Sequence, residues 1–387
     1  MLGRIAGKGV FIVLCLPLLL TGCWDMKTIQ DVNYMTAIGF DYQDGQYIVY
    51  GQMLSFANVA KQEGQTTQAP KIWVGKGAGE TVSAAYNNLY RTAQQRVFWG
   101  HVGAYLFSQS AIEKAGLRFT DGSIRFNETR YTQWIYTTNE PILDLLNIIP
   151  FFDVSPMNSI LMQPEENYRQ HSMVAPLRLY KVSSQLREPG NTVNIPMLGV
   201  DRTTWYENKK EDPKLRVEGI VALTKMPHFA VLSFDRLVGL RWMNNETVRT
   251  TLPVHQNGKA VGVIRIEKPR ASVKPRFTEN QVYFDVQLKG KAIVAEVLKY
   301  VPEPELTKLI EEEIKKDIRY TFSEGRKIDA DVYSFEHVLY HDRFPDWARL
   351  TNKGTKALSD FELGDIQVNV HIVHSGMLRL KRGEGQY

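Results

Sequence analysis

Cysteine is nearly absent from this chain. Its 387 residues include two, Cys15 and Cys23, both within the first 23 positions. Everything beyond them is without a thiol, which excludes a disulfide framework, a cysteine nucleophile and a Cys-based zinc site. Long apolar runs are scarce as well. The longest, residues 10–20, is interrupted by Pro17 and falls short of the ~20 residues a spanning helix needs. A surplus of one charge is also missing. The formal net charge is +5, and the loss of Arg4 and Lys8 with a leader segment would leave +3. So weak a bias argues against a dedicated nucleic-acid surface. No Gly-x-Ser-x-Gly nucleophile elbow occurs. With 43% hydrophobic and 23% charged residues, the chain has the composition of a globular protein with a core.

The amino terminus carries the clearest signal. Arg4 and Lys8 precede the short apolar run, and Leu20-Thr21-Gly22-Cys23 follows it. A basic stretch, an apolar stretch and small residues before a cut are the layout of a secretory leader. The last four residues resemble the lipobox of exported lipoproteins. The residue types suit that chemistry, because a thiol accepts a diacylglyceryl group as a thioether and Gly22 leaves the bond open to a peptidase. Residues 1–22 are therefore expected to be removed and Cys23 to be S-diacylglycerylated, with N-acylation available to the new amino terminus. Two or more chains hold a protein stably where one would not.

Along the rest of the chain, strand and helix signals alternate. Residues 34–40 and 47–56 flank Asp44-Gly45, a hairpin signal. Residues 57–70 read as a loop. A strand at 71–74 leads through Gly75-Lys76-Gly77-Ala78-Gly79 into a helix over 81–96, whose apolar residues share one face. A strand over 103–107, a helix capped by Ser110, a strand over 133–137 and a helix opened by Pro141 follow. Prolines 156, 164, 176, 189 and 196 break up the next segment. Beyond it come strands at 219–223, 229–232, 261–266, 272–277, 281–288 and 291–297, with a turn at Lys289-Gly290. Val282, Phe284, Val286 and Leu288 alternate, so one face of that strand is buried. A long helix runs from Pro302 to about Gly325, and a last strand holds Ile366, Val368, Val370 and Ile372. The expected fold class is α+β: a lipid-anchored, multi-domain protein in which each domain is a mostly antiparallel sheet packed with helices. The expected domains are the leader 1–22, an N-terminal α+β region 23–205 with room for two subdomains, and a C-terminal α+β domain 206–387.

Few residues compete for a catalytic role. Gly75, Gly77 and Gly79 between a strand and a helix would suit an anion, but the dinucleotide and P-loop fingerprints are incomplete. A turn needing permissive backbone explains them more simply. His337 and His341 lack the Glu that a zinc-protease helix places after the first histidine. His371 and His374 fall on opposite faces of a strand. Glu311, Glu312 and Glu313 belong to a solvated helix face. His101, after Gly100, reads as a structural histidine beside a strand. Trp99, Tyr105, Trp134, Tyr136, Trp205 and Trp242 are expected mostly in the core, with some at an interface. No catalytic residue, metal or cofactor is expected.

Several segments taken together resemble one family. Leu20-Thr21-Gly22-Cys23-Trp24-Asp25 with Ala37-Ile38-Gly39-Phe40-Asp41 is similar to the opening of the Ger(x)C family, the C subunits of spore germinant receptors. Gly100-His101 before the strand at 105–108 fits it, as do Gly219-Ile220-Val221-Ala222-Leu223, Leu237-Val238-Gly239 and Glu246. Asp331-Val332-Tyr333, Phe335 and Pro345-Asp346-Trp347 resemble its carboxy-terminal domain. Val373-His374-Ser375-Gly376 departs from the pattern, where more basic residues are expected. The resemblance implies a non-enzymatic lipoprotein at the outer surface of the spore's inner membrane. It would act with the integral-membrane A and B subunits and hold membrane lipid through Cys23. A substrate-binding lipoprotein of a nutrient importer is the alternative that the lipobox alone allows. It calls for two similar α/β lobes.

Overall fold

The computed structural model describes residues 32–54, 71–115, 128–224, 229–278 and 281–374. Cys23 and the leader lie outside them, as does the whole of the loop expected at 57–70. The first unit opens with β1 (Val32–Gln43), β2 (Gln46–Leu54), β3 (Ile72–Gly79) and helix α1 (Val82–Tyr90). Next come β4 (Arg96–Phe98), β5 (Ala104–Ser108), α2 (Gln109–Ala115), β6 (Trp134–Thr138), α3 (Ile142–Leu146), α4 (Pro164–Gln170), β7 (Leu177–Arg178), α5 (Leu179–Gln185) and β8 (Val193–Asp201). A small hairpin, β9 (Tyr206–Glu207) and β10 (Lys210–Glu211), precedes β11 (Lys214–Leu223) and β12 (Phe229–Ser233).

Ten of these strands make one sheet in the order β12-β11-β8-β6-β5-β1-β2-β3, with β4 against β1 and β7 against β6. Its centre is parallel: β1 with β5, β5 with β6, and β6 with β8. Antiparallel pairs close both flanks. The β1–β2 turn forms where the Asp-Gly pair predicts it. Asp44 and Gly45 both take positive φ, 50° and 81°, as the tight hairpin turn demands.

Alternation along the strands divides the core in two. Ile38, Phe40, Tyr105, Phe107 and Ile135 face α1, α2 and α5. Ala37, Ile48, Leu106, Tyr136 and Leu198 face α3 and the segment around Leu161. Sheet 1 is therefore covered on both sides, which its parallel centre requires.

The second unit contains α6 (Leu240–Met243), β13 (Arg249–Gln256), β14 (Lys259–Thr278), β15 (Gln281–Val297), α7 (Glu303–Arg326), α8 (Phe335–Asp342), α9 (Phe344–Leu350) and β16 (Phe361–His374). Its sheet runs β13-β14-β15-β16, with only the last pair parallel. Leu306, Ile310, Ile314 and Ile318, spaced four apart on α7, meet Val282, Phe284, Val286 and Leu288 of β15 in one core.

Four expectations are corrected. The domain boundary at Tyr206 falls inside the first sheet, because β11 pairs along β8 and β12 along β11, carrying that sheet to Ser233. The glycines 75, 77 and 79 belong to strand β3 and form no loop. A Cβ on Gly77 would stand 2.1 Å from the Ala85 carbonyl oxygen, so the absence of one is what lets α1 lie close on the strand. Lys289-Gly290 is no turn, and β15 runs straight through it. The helix after β5 is capped by Ser108, whose Oγ accepts from Ala111 N at 3.1 Å, and not by Ser110.

Candidate functional site: the junction and the exposed surfaces

The two sheets meet over an apolar seam. Ile220, Ala222, Ala230 and Leu232 of the first pack with Leu240, Ala330 and Val332 of the second. Polar contacts fix the register. Asn194 Nδ2 donates to Val332 O at 2.9 Å. Ser334 Oγ accepts from Thr192 N at 3.1 Å and stands 3.0 Å from Asn191 Oδ1. His337 Nδ1 donates to Pro189 O at 3.0 Å. Gly190, at φ +68°, passes so near α8 that a Cβ would meet Glu336 Cγ at 2.6 Å. One of the two histidines weighed for metal thus works as an inter-unit clasp. Its neighbour His341 is exposed beside Asp342.

A buried arginine lies beside the same junction, its ionic and oxygen partners all within the second unit. Arg241 on α6 is 7% exposed. Its Nη2 donates to Asp317 Oδ2 on α7 at 2.9 Å, and Nη1 to Thr250 Oγ1 at 3.1 Å and Thr251 O at 2.9 Å. Met173 Sδ of the first unit lies 3.7 Å away. Asp317 Oδ2 accepts also from Trp242 Nε1 at 2.9 Å. Gly239, one of the residues that carry the family resemblance, has a physical reason to be glycine. A Cβ there would meet the Asp317 carbonyl oxygen and the Tyr333 hydroxyl at 2.4 Å each.

Asp331 caps α8, its Oδ2 accepting from Glu336 N at 2.8 Å. Glu336 in turn accepts from Trp347 Nε1 at 3.2 Å and Leu358 N at 2.8 Å. These residues line a cavity of about 850 Å³ with Arg326, Pro189 and Phe361. Burial pushes the Asp331 carboxyl up to about 6, against the backbone N–H groups that favour its charge. The unfolded carboxyl titrates near 3.8. Between these values the folded chain keeps a proton that the unfolded chain has lost. Asp331 therefore favours folding most below pH ~4, and that contribution falls as pH rises through 6, by at most about 3 kcal/mol. Asp331→Asn keeps a neutral acceptor. Its stability relative to the parent is expected to improve by about 2–3 kcal/mol between pH 4 and pH 7 in urea titrations. A difference that does not change with pH would refute the burial account.

The remaining candidates disperse. His101 is an exposed turn residue set edge-on to Tyr34 and Phe98 at 5.1 and 5.6 Å. Glu313 pairs with His255 at 2.9 Å and Glu312 with Lys315 at 2.7 Å, so two of the three carboxylates of the acidic run on α7 are paired at the surface. His371 and His374 lie in β16. Trp99, Tyr105, Trp134, Tyr136 and Trp242 are buried, while Trp205 is 51% exposed beside Phe151. Among the described residues no three His, Cys, Asp or Glu side chains are grouped to hold a metal, and no helix is long and apolar enough to cross a membrane. A second cavity, about 710 Å³, lies over β6, β8 and β11 between Tyr136, Met197, Val217 and Phe234.

Two unlike sheets joined by a buried seam define a multi-domain α+β protein that presents surface. Two family descriptions match it in order: "Spore germination protein N-terminal domain" over residues 25–200 and "Spore germination B3/GerAC like, C-terminal" over residues 227–376. The chain belongs to this Ger(x)C family of spore germination proteins. It is 22% identical over 382 residues to spore germination protein KC of Bacillus subtilis (strain 168), covering 93% of each chain. It is likewise 22% identical over 338 residues to the putative spore germination protein YfkR of the same organism, covering 84% of this chain and 85% of that one. The crystal structure of the GerBC protein shares the fold, with a TM-score of 0.56 and 14% identity over 90% of this chain and 100% of that one.

Proposed function

We propose that this chain is the lipid-anchored, non-catalytic C subunit of a nutrient germinant receptor. It assembles or couples the integral-membrane A and B subunits at the outer face of the spore's inner membrane, with Cys23 as its acyl-carrying residue. The observation that carries the reading is the pair of germination-family matches, in order, along the two structural units. The lipobox at Leu20-Thr21-Gly22-Cys23 supports the anchor. The importer reading is less well supported, because it calls for two similar lobes and the two sheets differ in strand number and order. Deleting the gene in a strain without paralogues is expected to abolish germination with at least one nutrient, followed as loss of spore refractility. Normal germination with every nutrient would sink the proposal.

A further inference from the structure

Four aromatic side chains outside the core stand at one end of the first sheet. Phe151 is 38% exposed, Phe152 95%, Trp205 51% and Tyr206 60%. Phe151 meets Trp205 edge-on at 4.7 Å and lies 6.2 Å from Phe152. The group is held from below by Lys214 of β11, which is 9% exposed. Lys214 Nζ donates to Ile149 O at 3.2 Å, is paired with Asp212, and lies 4.8 Å from the centre of the Phe151 ring. Asp212 N closes the hairpin by donating to Trp205 O at 2.9 Å. Phe152 has φ 59° and ψ 27°, a left-handed conformation that a phenylalanine adopts only at a cost. A cluster of large rings in water, with Phe151 supported from below, is the chemistry of an interface anchor.

Strand polarity says what the cluster can reach. β1, β5, β6 and β8 point the same way, so Val32 is at their amino-terminal end. Phe151 follows β6 and α3, and Trp205 follows β8, so both lie beyond the carboxy-terminal ends. β1 alone has 12 residues, about 40 Å at ~3.3 Å per residue. The nine steps from Cys23 to Val32 reach about 30 Å at full extension. With the knob pressed into the bilayer and the strands upright, Val32 would stand farther from the lipid than that tether extends. In an upright pose the knob is therefore held clear of the bilayer, and its occupant is a protein that rises beside the chain.

We propose that the Phe151–Phe152–Trp205 knob docks into an apolar pocket on the part of an integral-membrane receptor subunit that projects away from the bilayer. This rests on the proposed receptor role and on the anchor at Cys23. A convex knob matches a concave apolar site, and Phe151 loses little rotamer freedom on docking because Lys214 and Trp205 already hold it, while Phe152 supplies the exposed ring to be buried.

The test uses the full lipidated chain in spores, with benzoyl-phenylalanine at position 152. Irradiation is expected to give one adduct whose partner peptides, by mass spectrometry, come from a protein with membrane-spanning helices. The same probe at Tyr180, an exposed residue on α5, gives no such adduct. An adduct with lipid, an adduct with a second copy of this chain, or no adduct overturns the proposal. In parallel, Phe152→Glu is expected to leave protein level, melting midpoint and membrane attachment unchanged, because the ring is 95% exposed. It should lower co-purification of that partner at least ten-fold. Unchanged co-purification overturns docking. If the deletion strain germinates normally, the receptor role itself fails. If deletion blocks germination and Phe152→Glu does not, docking alone fails.

Discussion

Arg241→Ala is expected to destabilise the chain by about 3–5 kcal/mol, the cost of stranding the partner of a buried ion pair. Asp317, its side chain 16% exposed, would be left with one side-chain donor, the Trp242 indole. Asp317→Ala should cost as much by the converse route, since a guanidinium that is 7% exposed would lose its counter-charge. Arg241→Lys should rescue little, because one ammonium cannot serve Thr250, Thr251 and Asp317 in the fixed fork that the guanidinium offers. The pair Arg241→Met with Asp317→Leu removes both charges. It should recover most of the loss, leaving the Trp242 indole N–H and the Thr250 and Thr251 oxygens without these partners. Urea unfolding of the four variants checks this. Single variants within 1 kcal/mol of the parent would show that the junction does not depend on the pair.

Cys23→Ala has the largest expected effect in the cell. The proposed anchor is a thioether, and alanine has no atom to form it. The variant should run as the uncleaved precursor and take up no labelled fatty acid. After detergent phase separation, the anchored form should enter the detergent phase. A variant with an unprocessed apolar leader of this length should be held weakly, because 11 residues fall well short of a spanning helix. Unchanged processing and acylation of Cys23→Ala would remove the lipoprotein reading altogether. Cys23→Ser is the stricter control, for it keeps size and polarity and lacks only the sulfur.

Residues whose partners are near in sequence were legible beforehand. Asp44-Gly45 demanded a hairpin turn, and the stripe on α7 and the alternation in β15 declared their buried faces. What depends on distant partners was not. Residues 206–213 carry every local mark of a linker. They form a small hairpin, after which β11 returns to pair with β8. Lys289-Gly290 has turn composition, yet β15 stays extended because β16 pairs with both residues and β14, bulged at this point, pairs with Lys289 and Lys291. Gly75, Gly77 and Gly79 look like an anion loop until α1 is seen lying on them. Asp331, Val332 and Tyr333 stand out in the sequence only through family likeness. The fold gives them work as a helix cap, a seam residue and the Tyr333 hydroxyl that donates to Ile318 O at 3.0 Å. The aromatic knob has little signal: Trp205 adjoins a polar stretch, Phe151-Phe152 follows Pro150 without any period, and nothing local brings the two segments together.

The position of β1 has a mechanical consequence. It lies inside the sheet, hydrogen-bonded to β2 on one side and β5 on the other. A pull on the chain ahead of Val32 acts along the axis of this strand. The bonds to its neighbours run across that axis. They are therefore loaded together, in shear, and must fail as a group. An edge strand pulled sideways would instead unzip bond by bond. If the chain is tethered ahead of Val32, as proposed, tension meets its first resistance in bonds that share the load, and the amino-terminal strand resists extraction far better than an edge strand would.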